Sequence, residues 1–145
     1  MSQILVYEDD PVVARLLTLL YTLEGHDVEV AGTAEAAWRR LDGPAPDLLL
    51  LDLMLDGADG IDLLERLRGE PMWESCRVIV VTALSSDRDV WRGWSSGADY
   101  YLTKPFDLPQ LRSVSRRLLE QGAAAPEPSA TSRGWPPHPE PITAG

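Results

Sequence analysis

Residues 4–20 read ILVYEDDPVVARLLTLL. Four apolar, strand-favouring residues run into Glu8, Asp9 and Asp10, and Pro11 follows. Apolar residues then recur at spacings of three and four: Val13, Leu16, Leu17, Leu20 and, just beyond, Leu23. The first run fits a short buried strand and the second the 3.6-residue period of a helix, with proline at the opening position that tolerates it. A strand feeding a helix is half of a βαβ unit, so the fold depends on whether the pattern repeats.

It repeats four times. Strand-like runs fall at 28–31, 48–51, 78–82 and 100–103, and they are continuous rather than alternating, which predicts strands covered on both faces. Helical spacing links Ala34, Ala37, Trp38 and Leu41 after a Thr33 cap, then Ile61, Leu64 and Leu67 after Asp59. It continues with Val90, Trp91 and Trp94, and with Leu108, Leu111, Val114 and Leu118. Five strands alternating with five helices predict right-handed crossovers, a five-stranded parallel sheet and helices on both faces, which is a doubly wound α/β domain.

The periodicity stops near residue 121. From Gly122 the chain reads GAAAPEPSATSRGWPPHPEPITAG, with six prolines. Such a segment has too little apolar surface to offset its ordering entropy and is expected to be a disordered tail or linker, in which Trp135 is a candidate docking residue. The expected division is therefore 1–121 for the domain and 122–145 for the tail.

Composition narrows the function. With 13 Lys and Arg against 23 Asp and Glu, the formal charge is -10, which argues against direct binding of nucleic acid by this domain. The single cysteine, Cys76, can form no internal disulfide and reads as a small core filler. No apolar run approaches the ~18 residues of a membrane span, and no secretory signal opens the chain. A cytoplasmic protein without membrane contact is expected.

In a doubly wound sheet, ligands gather beyond the carboxyl ends of the strands. Strand one ends in Glu8, Asp9 and Asp10; the third in Asp52; the fourth in Thr82; the fifth in Lys104 and Pro105. Asp10 beside Pro11 is expected to cap the first helix. The remaining carboxylates would repel one another unless a cation offset them, and a hard divalent ion such as Mg²⁺ suits oxygen donors. Asp52 could then act as a nucleophile toward a phosphoryl group, with Thr82 and Lys104 contacting phosphoryl oxygens.

The segments ILVYEDDP (4–11), PDLLLLDLMLDGADGIDLLERLR (46–68), VIVVTAL (78–84) and GADYYLTKPF (97–106) resemble the response-regulator receiver domain of two-component signalling, over about residues 3–121. The resemblance implies a flavodoxin-like strand order, 2-1-3-4-5. It implies Asp52 as phosphoacceptor and Mg²⁺ placed by Asp9, more indirectly by Glu8, and by the Met54 carbonyl. It makes Thr82 the switch hydroxyl, Tyr101 the switch aromatic, Lys104 the phosphate-pairing lysine and Pro105 the residue after a cis peptide bond. It implies a histidine kinase or histidine phosphotransfer protein as donor, since His26 and His138 fall at a turn and in the tail. A downstream protein target would bind the helix 4, strand 5, helix 5 face.

There are two departures from the family pattern. Asp56 stands where proline is usual. Gln110 and Val114 stand where dimerising regulators carry a glutamate and an arginine, which puts that phosphorylation-dependent dimer in doubt. Trp91 and Trp94 mark a second candidate for partner contact. A stand-alone receiver acting through protein contacts is favoured over the amino-terminal part of a longer transcriptional regulator. An aspartyl phosphohydrolase is the rival from another class, and Met54 stands where such enzymes carry a second aspartate. A calcium-loop reading of DGADGID fails on spacing, because Asp56, Asp59 and Asp62 are three apart.

Overall fold

The computed structural model describes residues 1–55, 58–84 and 86–121. Strands β1 (Gln3–Tyr7), β2 (Asp27–Ala31), β3 (Leu48–Leu51), β4 (Arg77–Thr82) and β5 (Tyr100–Thr103) form one sheet. Their order is β2-β1-β3-β4-β5 and every pairing is parallel, as expected. Each strand starts within one residue of its expected position and ends on it. Helices α1 (Pro11–Leu23), α2 (Ala34–Arg40), α3 (Ile61–Arg68) and α4 (Asp87–Ser95) fill the four crossovers, and α5 (Leu108–Gln121) follows the last strand.

Two cores sandwich the sheet. Leu49, Leu51, Val78, Val80 and Tyr101 face α2, α3 and α4 through Ala37, Leu64, Leu67 and Val90. Leu48, Leu50, Ile79 and Leu102 face α1 and α5 through Leu17, Tyr21, Leu111 and Leu118. The four leucines of β3 are all buried, so alternate ones serve opposite cores. Burial of each is worth about 1.5–3 kcal/mol, which explains the unbroken apolar run.

The helix starts follow their caps. Asp10 accepts the Val12 N–H at 2.9 Å with Pro11 at the first helical position. Thr33 accepts from Ala36 at 3.1 Å, and Ser86 from Asp89 at 3.0 Å. Each satisfies a backbone donor that the first turn leaves without an intrahelical partner.

Three expectations about burial need correction. β2 is not covered on both faces: it is an edge strand that exposes Asp27, Glu29 and Val30. On α1 the buried face is Ala14, Leu17 and Tyr21, while Leu16 and Leu23 are exposed together with Val12 and Leu19. Trp38 is likewise exposed, because Ala37 and Leu41 take the inward positions of that segment. A sequence rich in leucine at several helical phases cannot tell its inner face from a second apolar stripe.

A short two-stranded ribbon and a 3₁₀ turn at Pro71–Trp73 were not anticipated. Met54–Leu55 pairs antiparallel with Ala58–Asp59, just after β3. The ribbon closes tightly: Gly60 donates its N–H to the Leu53 carbonyl at 2.6 Å, and a β-carbon there would lie 2.9 Å from the Leu53 α-carbon. Only glycine allows that approach.

Candidate functional site

Register builds the site. Tyr7 stands beside Leu51, so the residues that follow, Glu8 and Asp52, emerge side by side at the carboxyl rim. Thr82 pairs with Thr103, which brings Lys104 to the same rim. Carboxylate oxygens of Glu8, Asp9 and Asp52 lie within 4.8 Å of one another. Glu8 and Asp52 are buried and Asp9 is exposed.

Lys104 ties the cluster together. Its ammonium donates to both Glu8 oxygens at 2.9 and 3.1 Å and to Asp52 Oδ2 at 2.9 Å. The other Asp52 oxygen, Oδ1, accepts the Met54 N–H at 2.9 Å. Burial works against the charged form of Lys104, but its hydrogen bonds to Glu8 and Asp52 and their charges together hold its pKa above the usual lysine value. Burial pushes the Glu8 carboxyl up, the Asp52 charge adds to this, and Lys104 with the Asp10 N–H offsets only part of it. Two buried carboxylates, Glu8 and Asp52, thus share the Lys104 ammonium, with the exposed Asp9 carboxylate beside them, so acids outnumber the ammonium in this cluster.

Thr82 is wholly buried, and its hydroxyl accepts the Leu84 N–H at 3.4 Å. Tyr101 is buried too, and its hydroxyl donates to the Leu84 carbonyl at 2.7 Å. Both side chains therefore meet on the two polar groups of one residue, Leu84, which sequence reading did not single out. Backbone polarity at an apolar residue leaves no signal in the sequence. The Tyr101 ring lies in a notch on α4, where a β-carbon at Gly93 would fall 2.5 Å from the ring. The Lys104–Pro105 peptide is cis.

Four of the rim residues, Glu8, Asp9, Asp52 and Lys104, come together as one charged group. Asp10 does not join it, being spent on the α1 cap. Met54 contributes its N–H to Asp52, and its side chain is exposed. Gln110 donates to the Tyr100 hydroxyl at 3.4 Å and Val114 is buried in the α1/α5 core, so neither position can supply a charge. The expectations for Asp56, Trp135 and His138 lie outside the described residues.

The description "Response regulator receiver domain" matches residues 4–116. The chain belongs to the receiver domain family of response regulators. Receiver membership sets the phosphohydrolase rival aside. This receiver is 35% identical over 127 residues to the DNA-binding dual master transcriptional regulator RpaA of Synechocystis, covering 88% of the present chain and 53% of that protein. The chain spans about half the length of the curated relatives it matches. Among solved structures it is similar to the Francisella response regulator 1452 receiver domain, with a TM-score of 0.76 and 30% identity over 83% of this chain and 98% of that one. It is also similar to the Thermotoga maritima response regulator TrrA in complex with Mg²⁺–BeF, at a TM-score of 0.70 and 28% identity over 81% and 99% of the two chains. Among the described residues no helix of the receiver is long and apolar enough to cross a membrane.

The donors suit magnesium. Oxygens on opposite sides of an octahedral Mg²⁺ lie about 4.2 Å apart, close to the 4.8 Å spread of this cluster. The three side-chain donors are hard carboxylate oxygens, and their charge calls for a cation.

Proposed function

We propose that this receiver accepts a phosphoryl group on Asp52 from a phosphohistidine of a histidine kinase or phosphotransfer protein. The observation that carries the reading is the arrangement of Asp52 itself: a buried carboxylate at a strand end, flanked by two further carboxylates and held by Lys104 at 2.9 Å. An Asp52 oxygen forms the new bond to phosphorus as the phosphorus–nitrogen bond to the donor imidazole breaks, and the imidazole leaves with a proton from solvent. Water later cleaves the acyl phosphate, returning the carboxylate and inorganic phosphate.

Asp9, Asp52 and the Met54 carbonyl would hold Mg²⁺, with Glu8 behind them. The ion would supply the positive charge that lets an anionic phosphoryl group approach three acids. Lys104 holds the Asp52 carboxylate in place and is free to pair with a phosphoryl oxygen once one arrives. The exposed stripe of Val12, Leu16, Leu19 and Leu23 runs down α1 from the pocket side, an apolar face on which a helix of the donor can seat.

Phosphorylation adds about -1.5 to -2 charges at Asp52. Thr82 then turns its hydroxyl toward the phosphoryl group and gives up the Leu84 N–H. That residue also holds Tyr101, so the loop into α4 moves with it. Tyr101 is already inward in the unmodified chain, so the signal strengthens or shifts an arrangement that the chain already populates. Output is read as protein contact through the α4, β5, α5 face. A second reading, favoured by relatives such as RpaA that are named as transcriptional regulators, is that the domain serves as the receiver of a longer DNA-binding protein. The coding sequence beyond Gly145 separates the two.

Incubation with Mg²⁺ and acetyl phosphate should add one phosphoryl mass to the intact chain, mapped by peptide to Asp52. Labelling should vanish in Asp52→Asn. Full labelling of that variant would overturn the assignment.

A further inference from the structure

A second connection joins the pocket to α4, apart from Tyr101. Asp59 belongs to the short ribbon that follows Asp52 and stands opposite Met54 in its register. Its Oδ1 accepts the Ile61 N–H at 2.9 Å, which fixes the start of α3, where Gly60 has no side chain to offer. Its Oδ2 accepts from Arg92 Nη2 of α4 at 2.9 Å, 33 residues further along. With both oxygens engaged, the carboxylate is held in one orientation.

Burial works against the Asp59 charge, but the Ile61 N–H and the Arg92 guanidinium together hold its carboxyl below the usual aspartate range. The hydrogen bond to Asp59 and the Asp59 charge lead in holding Arg92 above its usual value, and the charges of Asp89 and Glu65 add to them. Both side chains of the pair are 44% exposed. An exposed pair of this kind changes an equilibrium by about twofold to fivefold. That is too little to hold a fold together and enough to bias a loop.

The connection is continuous. Met54 donates its N–H to Asp52 Oδ1 at 2.9 Å, Asp59 is the ribbon partner of Met54, and Arg92 holds Asp59. Arg92 precedes Gly93, whose notch receives the Tyr101 ring. Two paths thus reach α4 at neighbouring residues. One runs through Thr82, Leu84 and Tyr101, the other through Met54, Asp59 and Arg92.

We propose that Arg92 is a positioning residue for Asp52: by holding Asp59 it keeps the Met54 N–H on the Asp52 carboxylate, and it makes the reactivity of that carboxylate depend on where α4 lies. The path leaves out Thr82 and Tyr101, and it rests on the reading of Asp52 as phosphoacceptor. Whatever draws Arg92 away from Asp59 loosens the phosphoacceptor edge. By linkage, a change of state at Asp52 is felt at Arg92.

Amide hydrogen exchange at Met54 in the full unmodified chain tests the path without a phosphoryl donor. Arg92→Gln should speed it about twofold to fivefold, and Arg92→Lys, which keeps the charge, should return it close to the parent rate. Asp59→Asn keeps an oxygen for the Ile61 N–H and should match Arg92→Gln, and the two changes together should add nothing further. At about 1 M salt, where the Debye length is roughly 3 Å, the difference should shrink. Acetyl phosphate with Mg²⁺ should label Asp52 more slowly in Arg92→Gln, by a similar factor. Met54 exchange that is unchanged in Arg92→Gln, that rises together with exchange at Leu50 inside the sheet, or that stays high in Arg92→Lys would each overturn the proposal. Labelling at the parent rate despite faster exchange would overturn it too. Absent labelling of the parent would sink the reading of Asp52 itself, an outcome distinct from normal parent labelling with unchanged exchange, which ends the proposal alone.

Discussion

At the carboxyl end of the sheet two carboxylates, Glu8 and Asp52, share one ammonium with Asp9 close by, whereas at the amino end one carboxylate, Asp99, takes two guanidinium groups and a backbone N–H. Asp99 Oδ2 accepts from Arg68 at 2.9 Å and from the Val78 N–H at 2.8 Å, and Arg77 approaches Oδ1 at 3.6 Å. Arg68 also donates to the carbonyls of Cys76 and Gly97, so this one side chain ties α3 to the starts of β4 and β5. At the amino end the fold supplies its own counter-charges, two guanidinium groups on one carboxylate, and they hold the strands in place. The carboxyl end is left short of positive charge, which is tolerable only if something from outside supplies it. Two partly buried charge clusters on one sheet thus differ in where their counter-charge comes from.

Asp99→Ala should show the largest effect. It leaves Arg77, a buried arginine, and Arg68 without their carboxylate, and loss of one partner of a buried pair costs about 3 kcal/mol. Urea unfolding should show the drop, while acetyl phosphate still labels Asp52 at low temperature. A loss of labelling in the folded variant would break the division between the two ends.

That division was only half legible beforehand. Glu8, Asp9, Asp52 and Lys104 could be placed at one rim because each follows an unmistakable apolar run, and parallel strands of equal phase must end on the same side. Asp99, Arg68 and Arg77 gave no such cue: Arg77 reads as a residue before a strand and Arg68 as a helix terminus, and only tertiary packing brings them together. The strand order could not come from the runs themselves, since βαβ units permit several orders. Burial of β2 was misjudged because Val28, Val30 and Ala31 suit a covered strand as well as an edge one. Leu84 was missed because it acts through its peptide groups.

Lys104→Ala sharpens the comparison at the other end. Removing the one ammonium should raise Mg²⁺ affinity, because at these separations a unit charge is worth about 1–4 kcal/mol between water and a partly screened site. An increase of roughly tenfold by calorimetric titration is expected, together with weaker phosphoryl labelling. Unchanged affinity would mean that the cluster is not short of positive charge.

The smallest effect concerns pH. The Glu8 pKa is raised in the folded chain, so this group favours folding below its unfolded pKa, and that contribution is lost as pH rises through the folded value. The melting temperature of Glu8→Gln relative to the parent should therefore become more favourable as pH climbs out of the acid range. Saturating Mg²⁺ should shrink the difference, since the ion relieves the ionised parent. Melts with and without the ion across that range check both signs.

The position of β1 in the sheet has a consequence for synthesis. The earliest strand of this sheet in the chain lies inside it, between β2 and β3, and Glu8 at its end contacts Lys104, which follows the last strand 96 residues later. Until β5 is added, Glu8 and Asp52 lack the Lys104 ammonium, so a nascent chain assembles this pocket only with the last strand of the sheet.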